Sequence, residues 1–235
     1  MAPTPNRPLL QRLHAKPGIK IWLVPTVILV LFMLTAFASK TGIESLLDSK
    51  TISQCDTMVR EWFRAHSSAA LDQFVVAFAL LGSPVAMVVL ALTGLSLLIP
   101  RRHWSLIFTW DVVFLGLLVL TSVLKRIYHR TRPPGAQEFL YSQSFSFPSG
   151  HATSAIVAFG MVGYVLGTQV YKERDQRVVL WIVTPLLILA MGIGRLYLGV
   201  HYLSEVVAGF LVGGAWLLVC LWSLKRFGQP AHPLK

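Results

Sequence analysis

Three polar clusters interrupt a mostly apolar chain, and each carries side chains suited to an anion. The first is KRIYHRTRP, from Lys125 to Pro133. The second is FPSGH, from Phe147 to His151, and the third is GRLYLGVHYLSE, from Gly194 to Glu205. Lys125 offers a point charge, and Arg132 a planar fork that matches phosphate oxygens. Pro148 and Ser149 read as a helix start, with Ser149 as N-cap or first-turn residue. The amides of Ser149, Gly150 and His151 are then expected to point outward, where the helix dipole favours an anion. Gly150 would let a ligand approach the backbone closely. His201 and Glu205 stand at i and i+4, on one face if helical. The carboxylate can then accept from one imidazole nitrogen and leave the other as nucleophile or base. A metal is the rival reading of His beside Glu, but Lys125, Arg132 and Arg195 would repel a cation. The ensemble asks for an anion, and phosphate fits best.

The elements that must hold these clusters are set by composition. The chain has 235 residues, of which 54% are hydrophobic and 13% charged, against about 25% charged in soluble domains. Mean hydropathy is +0.63. These values imply an integral membrane protein, with lipid as the solvent for most of its surface. Formal net charge is +11. The bases fall in gaps between apolar runs and form no stripe with interleaved aromatics, so nucleic acid is not the expected partner. Cys55 and Cys220 are expected at opposite faces, as two unpaired thiols.

Six apolar runs are long enough, or nearly so, to cross a bilayer. They extend from Ile21 to Ala38, from Pro84 to Ile99 (lengthened by Ala69 to Leu81), and from Ser105 to Leu124. The others extend from Ala152 to Val170, from Val178 to Leu198 and from Tyr202 to Leu224. The expected fold is all-α: a polytopic six-transmembrane-helix bundle with interfacial helices between spans one and two, around Met58, Trp62 and Phe63. Residues 21–224 form one membrane-embedded domain between basic tails at 1–20 and 225–235. Arg7, Arg12, Lys16, Lys20, Arg101, Arg102, Lys172, Arg174, Arg177, Lys225 and Arg226 all fall on one side of six spans, which is thereby expected to be cytoplasmic. Ala36-Phe37-Ala38 has the form of a signal-peptidase site, but its apolar run exceeds a usual h-region, and a retained span is expected. The loop holding Lys125, Arg126, Arg130 and Arg132 breaks the positive-inside trend and needs another reason to be basic.

The ordered set Lys125 with Arg132-Pro133, then Pro148-Ser149-Gly150-His151, then Arg195 with His201, resembles the type 2 phosphatidic acid phosphatase family. The resemblance spans roughly residues 70–224 and rests on three motifs in the correct order and spacing. It implies metal-independent hydrolysis of a lipid phosphate, with no cofactor. By that resemblance His201 attacks phosphorus and becomes a phosphohistidine, supported by Glu205. His151 protonates the leaving oxygen and then activates water. Lys125, Arg132 and Arg195, with Ser149 and Gly150, hold the phosphoryl oxygens. The implied substrate is a membrane lipid such as undecaprenyl diphosphate, phosphatidic acid, phosphatidylglycerol phosphate or lipid A, met at the outer face of the cytoplasmic membrane. A lipid phosphotransferase and a non-catalytic lipid-binding or transport protein are the alternatives. Two positions depart from the family: Gly194 stands where Ser is usual, and Glu205 where Asp is usual.

The remaining polar residues have plainer expectations. Asp111 reads as a buried structural hydrogen bond, Arg126 and Arg130 as surface charge rather than headgroup contacts, and His129 as loop. Gly209 and Gly213 continue the His201–Glu205 face and suggest close helix packing. Tryptophans near span ends read as interfacial anchors.

Overall fold

A backbone in hydrocarbon must satisfy its own N–H and C=O groups, so each apolar run becomes a helix. The computed structural model describes residues 18–136 and 145–228, with no strand among them. The order is α1 (Lys20–Ala38), α2 (Lys40–Leu47), α3 (Lys50–Ala65), α4 (Ala69–Ala79), a 3-10 turn (Leu80–Gly82), α5 (Pro84–Leu98), α6 (Trp104–Tyr128), α7 (Gly150–Val165) continuing into a π turn (Leu166–Val170), α8 (Arg174–Tyr197) and α9 (Leu203–Phe227). Five helices are long and apolar enough to span a membrane. The pair α4–α5, bent by 46°, makes a sixth. The bend has a local cause. Ser83 accepts from the Ala86 N–H and Pro84 takes the first turn, so a new helix starts there. The expected six-helix bundle is therefore present, with its second span broken.

Most of the basic N-terminal tail and residues 229–235 lie outside the described residues. Arg101, Arg102, Lys172, Arg174, Arg177, Lys225 and Arg226 sit at helix ends on one side of the bundle, opposite the three polar clusters. The bundle centres on α7, which packs against α8 and α9. The spanning part of α7 is 56% buried, against 17% for α1 and α8. Exposed apolar residues on α8, among them Val179, Ile182, Leu186, Leu189 and Ile193, recur every three or four positions. They form a lipid-facing stripe.

Gly209 and Gly213 explain how α9 reaches α7. A Cβ at Gly209 would lie 2.8 Å from the Ser149 carbonyl oxygen, and one at Gly213 would lie 2.8 Å from that of Thr153. The start of α7 is thus pressed against the helix that follows His201. Trp22, Trp181 and Trp222 remain exposed, in keeping with contact to lipid, but Trp110 and Trp216 do not. Their indole N–H groups donate to the Ala91 and Val113 carbonyls at 3.0 Å each. These two tie helices together inside the bundle. Asp111 also departs from expectation: it is half-buried on α6 and has no hydrogen-bond partner among the described residues.

Between spans one and two, α2 and α3 are short and largely exposed, with Met58 and Trp62 facing outward. Tyr197 at the end of α8 pins the start of α4. Its hydroxyl accepts from the Ser68 N–H at 2.9 Å and donates to Asp72 at 2.8 Å. Cys55 is exposed and Cys220 buried, and both are free.

Candidate active site

The end of α8, the start of α9, the start of α7 and the end of α6 meet at one face of the bundle. His201 lies two residues before α9, outside the helix, and Tyr202 is the N-cap. His201 therefore meets Glu205 differently from two residues stacked on one helical face. Glu205, at N3, turns its carboxylate back over the helix start. Its Oε2 lies 2.8 Å from His201 Nδ1 and accepts the Tyr202 N–H at 3.2 Å. The Ser146 hydroxyl donates to the same oxygen and lies 3.3 Å from Nδ1. A carboxylate only accepts, so Nδ1 carries the proton and the Nε2 lone pair is available. Burial pulls the imidazole down to about 4, with Glu205 opposing and Arg132 and Lys125 assisting. Burial thus favours the neutral ring, the form a nucleophile would require.

Arg132 faces the other side of that ring. Its Nη1 lies 3.4 Å from Nε2 and donates to the Val200 carbonyl at 3.2 Å. Lys125, on the last turn of α6, donates to the Phe145 carbonyl. Its stem runs beside the start of α7, 3.9 Å from where a Cβ on Gly150 would be. His151, in the first turn of α7, packs against the α4–α5 elbow, where a Cβ on Gly82 would meet its ring at 2.9 Å. The Gly82 carbonyl accepts from Ser154 Oγ at 3.2 Å, fixing the elbow to the turn that bears His151.

These groups stand at the head of a cavity of about 630 Å³. Lys125, Arg132, Gly150, His151 and His201 line its polar end, and Val88, Ala91, Leu92, Leu115 and Leu118 its apolar body. From Pro84 to Leu92 is eight residues, so the cavity reaches about 12 Å down the bundle. Val88, Leu92, Leu115 and Leu118 are also exposed on the outer surface. The cavity accordingly opens sideways, between α5 and α6. Among the described residues no three His, Cys, Asp or Glu side chains converge as metal ligands.

Several expected site residues lie behind this wall. Glu205 and Arg195 are fully buried and do not line the cavity. Ser149 is the N-cap of α7, accepting from Ala152 N–H, and its own N–H donates to the Glu205 carbonyl at 3.1 Å. That amide is therefore engaged, and the outward array expected of Ser149, Gly150 and His151 is smaller by one. Gly194 points elsewhere: a Cβ there would lie 3.1 Å from Val75 on α4. The position bears on helix contact. Glu205 meets its histidine from N3, with His201 lying just outside the helix.

Arg130 is not surface charge. It lies 3.1 Å from Asp56 Oδ2, 2.8 Å from Ser204 Oγ and 3.4 Å from Glu205 Oε1, with its guanidinium over the Tyr202 ring. His129 closes α6 in the left-handed conformation, its N–H donating to the Lys125 carbonyl at 3.2 Å. Arg126 is exposed, as expected. Neither Ser146 nor Asp56 carries a signal of a site role in the sequence. The one signal pointing to Arg130 was the excess of bases in an outer loop.

An anion-handling head on a lipid-opening cavity, inside a helical membrane bundle, defines a class of integral membrane protein that works on amphiphilic anions. The chain belongs to the PAP2 superfamily, whose family model matches residues 110–229. Phosphatidylglycerophosphatase B of Bacillus subtilis is 27% identical over 212 residues, covering 87% of this chain and 95% of its own. Lipid A 4'-phosphatase of Bacteroides thetaiotaomicron is 27% identical over 184 residues, covering 71% and 76%. The fold is similar to the crystal structure of the first transmembrane PAP2 type phosphatidylglycerolphosphate phosphatase from Bacillus subtilis. The TM-score is 0.67 and identity 25%, over 86% of this chain and 97% of that one. At 86% of this chain, that match extends beyond the residues 110–229 of the family model.

Proposed function

We propose that the protein hydrolyses a membrane lipid phosphate or diphosphate through a phosphohistidine on His201, without a metal. The observation that carries this is the fixed tautomer: Nδ1 is held by Glu205, and Nε2 faces the head of the cavity beside Arg132. In the first step Nε2 attacks phosphorus, the bond to the lipid oxygen breaks, and His151 gives that oxygen a proton. In the second, water attacks phosphorus, His151 takes its proton, and the P–N bond breaks to release phosphate. Lys125 and Arg132 face the transferring oxygens, and Arg195 adds its charge from behind. Positioning and charge stabilisation supply most of phosphoryl-transfer catalysis, so such a set of cations is what the step needs.

The apolar body of the cavity favours a substrate whose chain stays in lipid, such as phosphatidylglycerol phosphate, phosphatidic acid or undecaprenyl diphosphate. The basic helix ends opposite the site support an outer-face active site in the cytoplasmic membrane. The test is a phosphate-release screen over purified lipid phosphates, with His201→Ala as blank. Release from at least one lipid, lost in His201→Ala, is expected. Full release by that variant from every substrate used would refute the mechanism.

A further inference from the structure

The buried residue of α3, among its described positions, is a carboxylate. Asp56 is 3% exposed, whereas Met58 and Trp62 of the same helix face outward. A buried acid is costly unless it is paired. Here Oδ1 accepts the Ser204 N–H at 2.8 Å, and Oδ2 accepts the Ser204 hydroxyl at 2.6 Å and Arg130 Nη2 at 3.1 Å. Ser204 is the second residue of α9, where backbone N–H groups have no partner within the helix. A carboxylate from another helix thus caps the segment that carries both His201 and Glu205. Arg130 extends the chain of contacts. It hydrogen-bonds Asp56 and stands 3.4 Å from Glu205 Oε1, the oxygen not used by His201, as an ion pair without a hydrogen bond. Neither Asp56 nor Arg130 lines the cavity.

We propose that Asp56 and Arg130 are a positioning pair for the nucleophile, tying interfacial helix α3 to the carboxylate that orients His201. This rests on the phosphohistidine reading above. Arg130 holds Glu205 in the rotamer that meets Nδ1, and Asp56 holds both Arg130 and the first turn of α9. A loss at either place leaves the substrate contacts in place and lets the imidazole drift from its line of attack.

The experiment uses the full chain in detergent micelles with dioctanoyl phosphatidic acid as probe. Asp56→Asn and Arg130→Gln are each expected to lower kcat about tenfold to a hundredfold, as loss of a charge-assisted buried hydrogen bond does. KM should stay within about twofold. Because the two act as one unit, the double variant should fall no further than the worse single. Arg130→Lys should recover part of the rate. Wild-type kcat in either single variant, a raised KM with unchanged kcat, or losses that multiply in the double variant would each overturn the proposal. If Asp56→Asn is not recovered as a monodisperse protein, Ser204→Ala breaks the same link more mildly and is judged by the same criteria. His201→Ala separates the two claims. Were it active, the functional reading would fail. Were it inactive beside fully active Asp56→Asn and Arg130→Gln, only the positioning pair would fail.

Discussion

Glu205→Gln tests the arrangement at its tightest point. The carboxylate is fully buried and 2.8 Å from Nδ1. On the proposed mechanism, positive charge would grow on the ring as Nε2 bonds to phosphorus, and Glu205 is the anion closest to it. A unit charge pair about 4 Å apart interacts by about 4 kcal/mol at an effective dielectric near 20. At about 1.4 kcal/mol per tenfold, that is roughly a thousandfold in rate. The amide also brings an N–H₂ group among Ser146, Tyr202 and Arg130. Arg130 faces Oε1 and offers only donors, so it draws the amide oxygen away from the Oε2 position, where His201 and the Tyr202 N–H both meet the side chain. The ring is then pushed toward the tautomer with a protonated Nε2. We expect kcat for phosphate release from dioctanoyl phosphatidic acid to fall by three orders of magnitude or more, with KM little changed. Glu205→Asp, which keeps the charge on a side chain shorter by one methylene, should lie between the two. A Glu205→Gln enzyme within tenfold of wild-type kcat would refute the assignment of Glu205 as the group that orients and balances His201.

Three other outcomes are expected. His151→Ala should lose far more activity toward an alkyl phosphate than toward p-nitrophenyl phosphate, whose leaving group needs no proton; equal losses, measured as kcat/KM, would argue against an acid role. Because burial lowers His201 from 6.5 to about 4, the unfolded chain takes up a proton there before the folded one. The stability this histidine contributes is whole above about pH 6.5 and drains as pH falls toward 4, by about 3 kcal/mol. Thermal unfolding should accordingly weaken more over that window in wild type than in His201→Asn, and equal slopes would count against a buried neutral ring. Finally, Leu118→Trp should raise KM for a long-chain lipid phosphate and leave short, water-soluble esters unaffected; a like effect on both would show that the cavity does not seat the chain.

The sequence made the spans and the three motifs legible because hydropathy and fixed spacing are local signals. The partnership of His201 with Glu205 was also legible, although its geometry was not. Spacing of four suggested a helical face, whereas the chain bends at Tyr202 and Glu205 reaches back over the helix end. The broken second span could be seen only as two runs, one semi-apolar. The contacts of Asp56 were hidden for a different reason. Its partners are Arg130, 74 residues away, and Ser204, 148 residues away. No periodicity reports a pairing across such distances. Ser146 stood beside a motif without being distinguishable from any other loop hydroxyl. Ser149 shows the converse: its residue type signalled a helix start correctly, but the carbonyl that occupies its amide belongs to α9.

The sideways opening between α5 and α6 has a kinetic meaning. A lipid that enters there is supplied by lateral diffusion within the bilayer, so the effective variable is its mole fraction in the surface. Its concentration per litre is not the governing quantity. Diluting the substrate lipid with an inert one should slow turnover at constant total substrate, and adding more vesicles of fixed composition should not raise it once all protein is membrane-bound. On the proposed hydrolysis the two products would also part at right angles, the dephosphorylated lipid back through the side and phosphate out through the polar head. Each then dilutes into a compartment of different dimension.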